Sequence, residues 1–176
     1  MRRILLLDDE QNVLHALQRS LRQIIKETEF KIELFTSPEM AIQRLSETAF
    51  DFVVSDYHMP SMNGVDFLKI IKEIQPDAIR MMLSASADFN TIIGAINEAE
   101  IFRYISKPWD TVELKETLKL AGERRDQNLE EKRLADEIRV QRGEMSPQEQ
   151  EAKRLEESDP GITKVKWGPD GSVLLE

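Results

Sequence analysis

Five short apolar runs, each followed by a stretch with helical spacing, constrain this chain more than any other feature. The runs are Ile4–Leu7, Ile32–Phe35, Phe52–Ser55, Met81–Ser84 and, more weakly, Phe102–Ile105. Apart from Ile32–Phe35 they are nearly unbroken, as expected of strands buried on both faces. The stretches between them carry apolar residues at helical intervals. These are Val13, Leu14, Leu17, Leu21 and Ile24; Met40, Ala41 and Leu45; Val65, Leu68, Ile71 and Ile74; Ile92, Ile93 and Ile96; and Val112, Leu114 and Leu118. Ser37-Pro38 offers a capping hydroxyl before a proline at the first helical position, and Asp110 can cap the fifth helix. Repeated strand–helix alternation implies right-handed crossovers and a parallel sheet covered on both faces. The expected fold class is therefore α/β, a doubly wound (βα)5 sheet with strand order 2-1-3-4-5. In such sheets ligands bind beyond the carboxyl ends of the strands.

That rule gives meaning to the polar residues at the strand ends. Asp8, Asp9 and Glu10 follow the first run, Asp56 follows the third, Ser84 ends the fourth and Lys107 follows the fifth. All emerge at one edge of the sheet. Carboxylates crowded into one cleft raise each other's pKa, and a hard divalent cation relieves the repulsion. Mg²⁺ suits oxygen ligands and is commonly held by one or two carboxylates plus a phosphate. Lys107 adds a mobile positive charge and Ser84 a hydroxyl donor, a set suited to in-line transfer of a phosphoryl group onto an aspartate.

Asp8-Asp9, Asp56, Ser84-Ala85, Tyr104 and Lys107-Pro108 resemble, in type, order and spacing, the receiver domains of two-component response regulators. The loop from Asp56 through Met59-Pro60 to Gly64, eight residues after the aspartate, follows the same pattern. The resemblance covers residues 2 to about 120 and implies a flavodoxin-like, chemotaxis-type receiver fold. It implies that Asp56 accepts a phosphoryl group from the phosphohistidine of a sensor histidine kinase or phosphotransfer protein. It further implies Mg²⁺ ligated by Asp9, Asp56 and the His58 backbone carbonyl, with Asp8 acting through water. Lys107 would pair with the phosphoryl oxygens, Ser84 would hydrogen-bond one of them, and Tyr104 would turn inward behind Ser84. The Lys107–Pro108 bond is expected to be cis. The His58 side chain reads either as a surface imidazole or as a group that affects access of hydrolytic water.

Three segments are expected: a receiver domain over 1–120, an extended helix or linker over 121–145, and a small helix plus β-hairpin over 146–176. Residues 121–157 hold 11 acidic and 8 basic side chains in 37 positions, with few large apolar ones. Leu129, Leu134 and Ile138 keep no clean heptad with Leu114, Leu118 and Ala121, because Arg125, Asn128 and Lys132 intervene. The helix is expected to reach about residue 142, either as a solvated monomer or as the stalk of a homodimer. Ser146-Pro147-Gln148-Glu149 is a helix start with the makings of a capping box. Ile162–Trp167 and Ser172–Leu175, flanking Gly168–Gly171, read as a hairpin that must pack on something, anchored by Val165 and Trp167.

Charge and composition narrow the function. The net charge is −9 and no basic stripe appears, which argues against nucleic-acid binding. There are no cysteines, and the apolar run at Ile4–Leu7 is too short for a signal peptide or membrane span. The expectation is a cytoplasmic phosphoacceptor switch, not an enzyme acting on external substrate, that works through contacts with an unknown downstream protein. The alternative is the receiver part of a longer regulator whose output domain is a cyclic-dinucleotide hydrolase or a DNA-binding module. A phosphatase on the same fold lacks any second nucleophile or acid–base set in this sequence.

Overall fold

A computed structural model describes residues 1–25, 29–85 and 98–163. The strands are β1 (Arg2–Leu7), β2 (Phe30–Phe35), β3 (Phe52–Asp56), β4 (Ile79–Ser84) and β5 (Arg103–Ser106). The helices are α1 (Gln11–Ile24), α2 (Pro38–Glu47), α3 (Gly64–Ile74), α4 (Thr111–Gln141) and α5 (Pro147–Ser158). The expected helix around Ile92, Ile93 and Ile96 and the hairpin around Trp167 lie outside the described residues. The strands form one parallel sheet in the order β2-β1-β3-β4-β5.

Alternation along the strands produces two cores. Ile4 and Leu6 of β1 face one side, where Leu14, Leu17 and Leu21 of α1 and Leu114, Leu118 and Ala121 of α4 cover them. Leu5 and Leu7 face the other, against Ala41 and Leu45 of α2 and Phe67, Leu68 and Ile71 of α3. β3 and β4 are buried at every residue, which is why Phe52–Val54 and Met81–Leu83 read as unbroken apolar runs, with Arg80 the charged exception near the start of β4. β5 has four residues and sits at the sheet edge, with Ile105 alone fully buried.

The helix starts follow local chemistry. Ser37 Oγ accepts from Met40 N, Asn63 from Asp66 N, and Asp110 from both Val112 N and Glu113 N. Ser146 and Glu149 form a full capping box at α5. α4 continues through Gly122 without a break. A Cβ at Gly122 would stand 2.5 Å from Arg2 Nη1, so the glycine makes room for the Arg2 side chain, which reaches Asp126 at 2.7 Å.

Beyond Gly122 the inner face of α4 carries charged side chains paired with the sheet edge and with α5. Arg125 Nε donates to Asp51 Oδ1 at 2.6 Å and its Nη1 to the Asp77 carbonyl at 2.9 Å. Lys132 pairs with Asp77 at 2.7 Å and with Glu157 of α5 at 2.7 Å, and Lys153 of α5 pairs with Asp136 at 2.6 Å. Asp51 and Asp77 precede β3 and β4, so the outer half of α4 is fastened to the amino edge of the sheet. α5 folds back against it, with no fully buried residue of its own.

Candidate functional site

The pocket lies at the opposite, carboxyl edge. Asp8 and Asp56 are buried there and Asp9 is exposed, with carboxylate oxygens of all three within 4.8 Å of one another. β1 and β3 are adjacent and in register, Leu7 opposite Ser55, so Asp8 just after β1 and Asp56 at the end of β3 must meet. Lys107 comes from the far edge of the sheet: its Nζ lies 2.6 Å from Asp8 Oδ2 and 2.7 Å from Asp56 Oδ1. The remaining oxygens are also held. Asp8 Oδ1 accepts from Glu10 N at 2.9 Å, and Asp56 Oδ2 from His58 N at 2.9 Å.

Two buried carboxylates thus share one ammonium. Burial pushes the Asp56 carboxyl up, Lys107 pulls it back without cancelling that effect, and Asp8 adds to the rise. Burial works against the Lys107 ammonium, but its hydrogen bonds to Asp56 and Asp8 prevail and hold it above the usual lysine range. The pocket therefore retains an excess of negative charge that a small hard cation would offset. Three carboxylates with oxygens this close fit such an ion.

The loop after β3 is constrained by backbone contacts. Tyr57 N donates to the Leu83 carbonyl and Gly64 N to the Tyr57 carbonyl, both at 2.9 Å. A Cβ at Gly64 would stand 2.1 Å from the Asp56 carbonyl oxygen, so only glycine permits the close return that starts α3. The exposed His58 ring stands edge-on to Tyr57 with centroids 4.5 Å apart, while its backbone N–H serves Asp56.

Ser84 is buried at the end of β4, and its carbonyl accepts from Lys107 N at 2.9 Å and from Tyr104 Oη at 2.8 Å. Tyr104 is half-buried and packs on the α2–α3 side core. The Lys107–Pro108 peptide is cis. Trp109, which sequence reasoning assigned no site role, donates from Nε1 to Ser20 Oγ at 3.0 Å and ties the loop after Lys107 to α1. Its place directly after Lys-Pro was the available signal. The pocket thus brings together Asp8, Asp9, Asp56 and Lys107, with Ser84 and Tyr104 joined to it through the Ser84 backbone.

Among the described residues no helix is long and apolar enough to cross a membrane. The family described as the response regulator receiver domain matches residues 4–119. The hydrogenase transcriptional regulatory protein HoxA of Bradyrhizobium diazoefficiens is 36% identical over 118 residues, which cover 67% of this chain and 23% of that protein. HoxA of Cupriavidus necator is 34% identical, covering 68% of this chain and 24% of that protein. The chain thus matches about a quarter of the length of these curated relatives. Among solved structures, the signal receiver domain of an HD domain-containing protein from Pseudomonas fluorescens aligns with TM-score 0.66 and 34% identity. That alignment covers 72% of this chain and 98% of the receiver domain.

Proposed function

This chain belongs to the response-regulator receiver family, and from that premise we propose that Asp56 is its phosphoacceptor, with Lys107, Ser84 and the acids of the pocket serving the transfer. The observation that carries this reading is the buried Asp56 carboxylate in a shared pocket with Asp8 and Asp9, within 2.7 Å of the Lys107 ammonium. One Asp56 oxygen forms the new P–O bond as the P–N bond of a donor phosphohistidine breaks, and the nitrogen leaves with its electron pair. Asp9, Asp56 and the His58 carbonyl would hold Mg²⁺, with Asp8 acting through water. The ion would supply neutralising charge to the phosphoryl oxygens. Lys107, now bridging two carboxylates, would shift to a phosphoryl oxygen, and the Ser84 hydroxyl would donate to another. A few charge-assisted hydrogen bonds of about 1.5–3 kcal/mol each approach the roughly 5.5 kcal/mol needed to invert a 1:99 equilibrium.

The natural donor would be a sensor histidine kinase or phosphotransfer protein, and the readout a contact with another protein. Receiver domains act as phosphoacceptor switches, and this chain would catalyse only its own phosphorylation and dephosphorylation. The short share of each curated relative also fits a second reading, in which this receiver serves a longer regulator. Leu134 and Ile138, exposed on the outer half of α4, support self-association through the tail. Asp56→Asn should abolish labelling by a small phosphodonor in the presence of Mg²⁺. Labelling that persisted at full stoichiometry would overturn the assignment.

A further inference from the structure

We propose that Arg80 is a positioning residue that locks the register of β5 and thereby places Lys107 in the acidic pocket. The inference rests on the phosphoacceptor reading for its functional consequence, though not for its structural one. β5 is short, lies at the sheet edge and buries only Ile105 fully, so its own side chains select its register weakly. Yet a slip of one residue would move the chain by about 3.3 Å and turn every side chain to the opposite face. Lys107 follows β5 directly and must arrive within hydrogen-bond reach of both Asp8 and Asp56. Something outside β5 has to hold it.

Arg80 lies near the start of β4, between β3 and β5, in a strand buried at every residue. A guanidinium is costly there unless its donors are used, and an apolar side chain would avoid that cost. Its donors are shared between the segment before β4 and the segment before β5. Nε donates to the Ala99 carbonyl at 2.9 Å, while the Arg80 backbone carbonyl accepts from Phe102 N at 2.8 Å. One residue therefore grips the chain at two points immediately before β5. Nη1 anchors the other side of the fork on the carbonyls of Pro76 and Ala78, at 3.1 and 2.8 Å. Glu100, between the two gripped residues, adopts a left-handed φ of 48° and lies 3.6 Å from Arg80 Nη2 and 2.7 Å from Lys72 Nζ. Lys69 pairs with Glu98 at the same turn. Arginine suits this task because its planar fork reaches carbonyls in several directions, and lysine cannot.

The test uses the full chain with Arg80→Met and Arg80→Lys, the latter keeping the charge and a folded protein should the former fail to fold. Three quantities are measured: Mg²⁺ affinity, beryllofluoride affinity in saturating Mg²⁺, and hydrogen exchange at the Phe102 and Lys107 amides. Mg²⁺ affinity should hold or rise in both variants, because Asp8 and Asp9 follow β1, Asp56 ends β3, and these acids lose only the competing ammonium of Lys107. Beryllofluoride affinity should fall roughly tenfold or more, in line with the sensitivity of such sites to misplacement by an ångström. The same fall should follow Lys107→Ala, with little further loss in the double variant. Exchange at both amides should accelerate. Unchanged beryllofluoride affinity with unchanged exchange would overturn the proposal, as would a parallel fall in affinity for metal and beryllofluoride. If the unaltered chain failed to bind beryllofluoride, the phosphoacceptor reading would fall, and amide exchange would still decide for or against the lock.

Discussion

Up to Gly122 this chain is held by burial, and beyond it by charge, although a single helix runs through both regions. Among the described residues every buried hydrophobic side chain lies at or before Ala121. Past that point the contacts of α4 with the sheet edge and with α5 are dominated by ion pairs: Arg125 with Asp51, Lys132 with Asp77 and Glu157, Lys153 with Asp136. A fully buried large apolar side chain contributes about 1.5–3 kcal/mol, whereas an exposed ion pair contributes about 0–1 kcal/mol. The receiver should therefore be rigid and insensitive to salt, and the tail should detach without unfolding it. Within the tail Arg125 is the exception, since it is well shielded and donates to a backbone carbonyl as well as to Asp51.

The most severe test of this contrast is Phe67→Ala. Phe67 is fully buried between α3 and the sheet, and its truncation should cost about 3–5 kcal/mol in urea unfolding. A loss below about 1 kcal/mol would mean that burial does not dominate the receiver. Arg125→Met ranks next. It removes charged hydrogen bonds to Asp51 and the Asp77 carbonyl, for an expected loss of about 1.5–3 kcal/mol. That loss should show as faster hydrogen exchange in α5 and the outer half of α4, with the receiver's own exchange little changed. Protection lost equally in both regions would erase the distinction between them.

The smallest effect lies within the receiver, where a charge contact joins β2 to α2. The hydrogen bond from Arg44 holds the Glu33 carboxyl below the usual carboxylate range, against the opposing effect of burial, and Lys31 adds to the depression. A carboxyl with a lowered folded pKa stabilises the protein fully above the ordinary carboxylate range, and the contribution is lost as pH falls through that range toward the lower folded value. Glu33→Gln should therefore flatten the acid limb of the stability profile in that window and leave neutral-pH salt dependence nearly unchanged. An unaltered acid limb would show that the contact contributes nothing even where it is half-shielded.

The same division explains what could be read from the residues in order. β3 and most of β4 were legible because burial on both faces demands apolar runs, and the pocket followed because acids at the ends of adjacent parallel strands must converge. The tail was harder because its contacts obey no hydrophobic period. Leu114, Leu118, Ala121, Arg125, Asn128 and Lys132 are spaced four, three, four, three and four residues apart. The inward stripe of α4 thus continues in position while its chemistry changes from apolar to charged. A search for apolar periodicity sees the stripe end at Ala121. The acids just upstream of β3 and β4, Asp51 and Asp77, held the complementary information, but Arg125 and Lys132 lie 74 and 55 residues away from them. Arg80 was illegible for a related reason, since it stands between the apolar Ile79 and Met81 and its hydrogen bonds go to backbone carbonyls.

The unbroken course of α4 makes its two attachments a matter of angular phase. An α-helix turns about 100° per residue, so Leu114 and Arg125 point the same way only because the count between them is near a whole number of turns. One residue inserted after Gly122 would rotate everything beyond it by roughly that angle and swing Arg125 and α5 around the side of the molecule. Seven inserted residues would restore the bearing to within about 20° while lengthening the rod by about 10 Å. In this chain the helix works as a keyed shaft, and its residue count sets which way the tail faces.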